Sequence, residues 1–151
     1  MLIYIGADHR GFKLKESLKN FLSAANYQAV DLGNDHYDEN DDYPDFAAKV
    51  AEKIDGDASG ESRGIVICGS GAGVSIVANK FKGARCVTAI SPEQAAATRK
   101  DEDTNILALA ADFLSEEVAK NIAKIWLETP FSGEERHKRR LAKIKEIEQK
   151  R

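Results

Sequence analysis

Five short, mostly apolar runs, each followed by a polar or glycine-rich turn and then by helical periodicity, constrain this chain more than any other feature. They are Leu2 to Ala7, Gln28 to Leu32, Ile65 to Cys68, Arg85 to Ile90 and Ile106 to Ala110. Runs of this length suit buried strands, and strands that alternate with helices through short connections lie parallel. The expected fold class is α/β: a single-domain three-layer α/β/α sandwich with a five-stranded parallel Rossmann-like sheet, spanning residues 1–151. In open sheets of this kind, ligands sit at the carboxyl ends of the strands.

The helices follow from spacing. Leu14, Leu18, Phe21, Leu22 and Ala25 recur on one face, with the lysines and Glu16 placed elsewhere. Phe46 to Ile54, Val74 to Lys80 and Pro92 to Arg99 are the next expected helices, and Ser115 caps another that carries Val118, Ile122, Ile125 and Trp126 and ends near Thr129-Pro130. Residues 33–44 form a polar loop and residues 55–64 a surface connection. A charged helix from about Glu134 to residue 150 closes the chain. Its thin apolar stripe of Leu141, Ile144 and Ile147 docks on its own sheet or on a second subunit; a homodimer, or two such dimers together, is expected.

Composition narrows the function. The chain is 42% hydrophobic and 31% charged, with no apolar run long enough for a bilayer, so no membrane role is expected. The start lacks the pattern of a secretory signal, which points to the cytoplasm. The formal net charge of −3 argues against nucleic-acid binding. Cys68 and Cys86 match neither a redox pair nor a zinc ribbon, and the acidic stretch from Asp35 to Asp45 lacks EF-hand spacing, so no metal site is expected and that stretch reads as a solvated loop.

Three places carry candidate chemistry. Ile67-Cys68-Gly69-Ser70-Gly71-Ala72-Gly73 runs from strand through glycine-rich turn to helix, gathering a thiol, a hydroxyl and successive backbone N–H groups where negative charge is favoured. Alone, the glycine pattern is a weak signal, with neither P-loop lysine nor dinucleotide spacing, and Cys68 by itself reads more readily as a buried strand residue than as a catalytic one. Asp8-His9 ends the first strand on the same sheet edge; a helix cap and a loop histidine are the bland alternative. Arg136 and Arg140, at i and i+4 in a basic cluster, suit a phosphate or a solvated helix start. A thiol-transfer role for Cys68 lacks a resolving cysteine nearby.

Asp8-His9-Arg10-Gly11, Asp42-Tyr43-Pro44-Asp45, the Ile67 to Gly73 segment, Ala78-Asn79-Lys80, Asp103-Thr104-Asn105 and Arg136-His137 occur in the order found in the ribose-5-phosphate isomerase B family, which the chain resembles over nearly its whole length. The galactose-6-phosphate isomerase subunits share that framework. The resemblance implies aldose–ketose isomerisation of a sugar phosphate through an enediolate, with no cofactor. It implies Cys68 as the base and Ser70 as a hydroxyl proton shuttle. Asp8, His9, Tyr43 and the N–H groups of Gly69, Gly71, Ala72 and Gly73 hold substrate, and Arg136 and Arg140 bind the phosphate from the neighbouring subunit. The family's ring-opening histidine and the asparagine after it are Asp101 and Glu102 here, so Asp101 becomes the candidate acid and Glu102 a substrate contact. Asp112 stands where many relatives carry a phosphate-holding arginine. These acidic departures leave a non-catalytic sugar-phosphate-binding module as the alternative function.

Overall fold

The computed structural model describes residues 1–150. Strands β1 (Leu2–Ala7), β2 (Gln28–Asp31), β3 (Arg63–Cys68), β4 (Cys86–Thr88) and β5 (Ile106–Ala110) alternate with helices α1 (Phe12–Ala24), α2 (Tyr43–Asp55), α3 (Ala72–Ala78), α4 (Pro92–Glu102), α5 (Glu116–Glu128) and α6 (Glu135–Glu148). All pairings are parallel, in the order β2-β1-β3-β5-β4. Alternate strand residues feed two cores. Ile65 and Ile67 face α1, α4 and α5 with Leu18, Leu22, Ala95, Ile122 and Trp126. Val66 and Cys68 face α2 and α3 with Ala47, Val50, Val74 and Ala78. This is the expected three-layer sandwich, and no helix among the described residues is long and apolar enough to cross a membrane.

Several boundaries differ from the periodicity for physical reasons. α2 begins at Tyr43 rather than Phe46, because Pro44 suits the first helical turn, where its missing N–H costs nothing. α3 starts at Ala72, so Gly73 lies in its first turn. α4 runs to Glu102 and stops where Asp103 turns left-handed at φ 44°. β4 is shorter than expected, and Ile90 beyond it is exposed. Asn79 holds β4 from outside the sheet: its amide donates to the Cys86 carbonyl and its oxygen accepts from the Cys86 N–H, both at 2.9 Å.

Lys15 overturns the expected helix pattern. It is fully buried, pairs with Asp31 and Glu16, and donates to the Asn34 carbonyl at 2.9 Å. A buried ammonium persists only with such partners. Ala25, expected on the buried face, lies past the end of α1 and is exposed.

Candidate active site

The site begins where β1 and β3 end side by side. Ala7 pairs with Ile67, the Asp8 N–H donates to the Ile67 carbonyl at 3.3 Å, and Cys68 pairs with Ala110 of β5. From β1 the chain crosses through α1 on one face, and from β3 through α3 on the other, which opens a crevice at this edge. The loop after β5 is tied to it, since the Ala111 and Asp112 N–H groups donate to the Cys68 and Gly69 carbonyls at 2.9 and 3.0 Å.

Glycine is needed here for contact as well as conformation. Gly71 has φ +73°, and a Cβ on it would stand 2.8 Å from the Thr88 methyl. A Cβ on Gly73 would stand 2.7 Å from the Tyr43 ring, so the phenol lies directly on the glycine-rich turn. Arg10 and Asp112 form an ion pair across Gly69. Ser70 is exposed, and its hydroxyl accepts from the Ala72 N–H at 3.3 Å. Cys68 is buried at the end of its strand, as the bland reading also required.

Asp8 is buried, and its Oδ1 accepts from the Gly11 N–H at 3.1 Å. It therefore braces the first turn of the following loop while lying beside Cys68. Burial pushes its carboxyl above the usual range. His9 is held by Asp41, whose Oδ1 meets both the His9 N–H and Nδ1 at 2.8 Å. That hydrogen bond is the main reason the His9 pKa rises, with the Asp8 charge adding to it. Tyr37 stands edge-on to the imidazole, 6.2 Å between ring centres.

Asp41 corrects the expectation of a wholly solvated acidic loop, since its side chain is only 6% exposed. It is also the residue at the candidate site that sequence reasoning missed. Its contact with His9 spans 32 positions, and no motif marks it within a run of acids.

A second group of candidates lies at the other sheet edge. Ile106 starts β5 opposite Gly64 and Cys86, four residues before the Cys68–Ala110 pair, and at ~3.3 Å per residue that is about 13 Å away. Asp101 and Glu102 occupy the last turn of α4, just before that start. Asp101 stands 3.8 Å from His137 Nε2 of α6, and His137 Nδ1 lies 2.7 Å from the Ser132 hydroxyl. Arg136 and Arg140 are exposed on the same helix, with Arg136 paired to Glu134 at 2.8 Å. Asp103 pairs with Arg85 and Arg99, and Asn105 accepts from the Arg85 N–H at 2.7 Å, so this motif braces the fold. One chain thus brings together Asp8, His9, Tyr43, Cys68, Ser70, Gly69, Gly71, Ala72 and Gly73, and separately Asp101, Glu102, Arg136 and Arg140.

Beside α6 run two surface cavities. One, of about 370 Å³, is lined by Lys82, Arg85, Leu141 and Ile144; the other, of about 290 Å³, by Asn79, Cys86, Glu102 and Ile144. Among the described residues no cluster of His, Cys, Asp and Glu is arranged to hold a metal.

The family model described as Ribose/Galactose Isomerase matches residues 3–144. The chain is 40% identical over 150 residues to ribose-5-phosphate isomerase B of Escherichia coli (strain K12), covering 99% of this chain and 97% of that one. It is similar to the crystal structure of ribose-5-phosphate isomerase B from Mycoplasma genitalium with bound ribulose-5-phosphate, with TM-score 0.95 and 38% identity over 99% of this chain and 97% of that one. The Clostridium thermocellum ribose-5-phosphate isomerase B gives TM-score 0.92 and 44% identity over 99% of both chains.

Proposed function

The chain belongs to the ribose/galactose isomerase family, and from that premise we propose that it interconverts an aldose phosphate and a ketose phosphate by shifting a proton through an enediolate. The observation that carries this reading is Cys68, at the end of β3 beside Asp8 and followed at once by the Gly69 to Gly73 turn. The Cys68 thiolate takes the proton from the carbon next to the carbonyl and returns it to the neighbouring carbon. Backbone N–H groups of the turn hold the developing oxyanion, a contribution of about 10²–10³ in rate for one such donor. Ser70 moves the hydroxyl proton once its own bond to the Ala72 N–H is exchanged for substrate. Asp8, His9 and Tyr43 orient the sugar. Ribose 5-phosphate is the first substrate to try, because relatives at 38–40% identity are named for it; the same relatives favour turnover over a merely binding module.

The phosphate site requires a second copy of the chain. Arg136 and Arg140 share an exposed face of α6, remote from their own Cys68, and Ile144 and Ile147 are 39% and 59% exposed along that helix. A homodimer that covers this stripe brings Arg136, Arg140, Asp101 and Glu102 of one subunit to the Cys68 edge of the other. The acidic pair would contact sugar hydroxyls there, with Asp101 also available to donate a proton.

Proton NMR in deuterated water tests the reading. Wild type should place deuterium next to the carbonyl of ribose 5-phosphate or a related pentose or hexose phosphate, and Cys68→Ala should slow this by about 10²–10⁴-fold while remaining folded. Undiminished exchange in the variant would move the base to another residue.

A further inference from the structure

An ammonium taken out of water must give its N–H donors to partners, so a buried lysine marks the groups it has to hold in place. Lys15 is 0% exposed, and its Nζ donates to Glu16 at 2.8 Å, to the Asn34 carbonyl at 2.9 Å and to Asp31. We propose that Lys15 and Asn34 are positioning residues for the substrate site, holding residues 34–41 against His9 so that the sugar meets a wall already in place; this rests on the isomerase reading above.

Both carboxylates have a second cation. Lys19 Nζ donates to Glu16 at 2.9 Å and to Asp31 at 2.7 Å. Among the described residues, the contact that Lys15 alone makes is the one to the Asn34 carbonyl, in the loop that follows β2. The chain is drawn tightly over the lysine there. A Cβ on Gly33 would stand 3.2 Å from Lys15 Cδ and Cε, and the Gly33 N–H donates to Asp31 Oδ1 at 2.8 Å.

Two routes lead from this ammonium to the imidazole. The polar one runs through Asn34, whose side-chain amide donates to Asp41 Oδ2 at 2.9 Å, while Asp41 Oδ1 meets the His9 N–H and Nδ1 at 2.8 Å. The aromatic one starts at the Phe12 ring, whose centre is 5.1 Å from Lys15 Nζ. Phe12 stands edge-on to Tyr37 at 6.4 Å, and Tyr37 edge-on to His9 at 6.2 Å. Both routes end beside Asp8, whose N–H is bonded to β3 one residue before Cys68.

Little else fixes the loop between these ties. Asp35, His36, Tyr37, Glu39 and Asn40 are all exposed, so apolar burial contributes little to holding it, and a loop of that kind opens readily when its polar anchors are cut. A wall set before binding spares the sugar the cost of ordering it, so its loss falls on KM rather than on the proton transfer at Cys68.

Cutting the polar route at two points provides the test. Lys15→Met keeps an unbranched apolar stem and leaves Lys19 on both carboxylates, so the variant should fold; Asn34→Ala cuts the next link at a half-buried position. Each should raise KM for ribose 5-phosphate about five- to tenfold with kcat within about twofold, and the double variant should be no more than about twofold worse than the worse single, because both cut one chain of contacts. In the ligand-free protein the His9 imidazole, assigned in NMR spectra against His9→Gln, should titrate closer to its ordinary value in both variants, because the Asp41 hydrogen bond that raises it is then made only part of the time. The other groups around that ring, Asp8, Arg10 and Tyr37, are unchanged by either substitution. An unchanged KM, or a His9 titration that stays at its wild-type position, would overturn the proposal and leave Lys15 as a brace of the fold. If Lys15→Met does not fold, Asn34→Ala decides by the same two readings. A wild type that exchanges no carbon-bound proton with any sugar phosphate would instead remove the isomerase reading, and the His9 titration would then decide by itself whether the loop is held.

Discussion

His9 and His137 each face an aspartate, and the two pairs teach opposite uses of the same chemistry. His9 is gripped at one nitrogen by Asp41, 2.8 Å away, on a side chain left 26% exposed. His137 is 3% exposed, with one nitrogen 2.7 Å from the Ser132 hydroxyl and the other 3.8 Å from Asp101, beyond hydrogen-bond reach, and it packs α6 against α4. A histidine with a spare nitrogen and solvent access can exchange protons with a ligand. One closed off from solvent acts as a brace.

Substitutions can break or sharpen that contrast. The largest effect concerns the two ends as halves of one site: Cys68→Ala and Arg140→Ala should each lose about 100-fold or more in kcat/KM. Refolding the two variants together should recover roughly a quarter of wild-type activity, through mixed dimers with one intact site; no recovery would place both residues in one subunit's site. Next, His137→Ala should lower stability by about 2 kcal/mol in urea melts, through lost packing and an unpaired Ser132, whereas His9→Ala should stay within about 0.5 kcal/mol.

Asp41→Asn should be milder and pH-dependent. The folded-state pKa of His9 stands above the unfolded value of about 6.5, so the charged pair stabilises fully below that pH and the contribution is lost as pH rises through the raised folded value. The stability gap between wild type and Asp41→Asn should therefore be wider in mildly acidic buffer than in alkaline buffer. The smallest effect is Asp112→Asn, which releases the half-exposed Arg10 and should lower KM for a sugar phosphate about two- to fivefold; an unchanged KM would mean that Arg10 does not reach the anion.

The strands were legible because each is a compact apolar run, and the turn from Cys68 to Gly73 because its glycines are contiguous in sequence. What stayed hidden depends on partners far along the chain. Lys15 reads as a surface lysine until Asp31 and the Asn34 carbonyl enclose it. Asp41 is one acid among many until folding brings it to His9. Asp101 and Glu102 looked like residues beyond a helix, yet α4 continues through them, since charged residues carry no apolar marker of where a helix ends. Which candidates share a sheet edge followed from topology, but strand order is a non-local property that periodicity does not report.

That order also governs how the chain comes together. Among the described residues β4 pairs with β5 alone, and β5 lies between β3 and β4 although it is the last strand made. During synthesis β1, β2 and β3 can assemble with α1 and α2, but residues 86–88 must wait unpaired until residues 106–110 emerge. The insertion that closes the sheet is the same one that sets Ala110 beside Cys68 and brings Asp112 over Gly69. A nascent chain ending before β5 therefore has neither a finished sheet nor a finished catalytic edge, and the two are completed in one event.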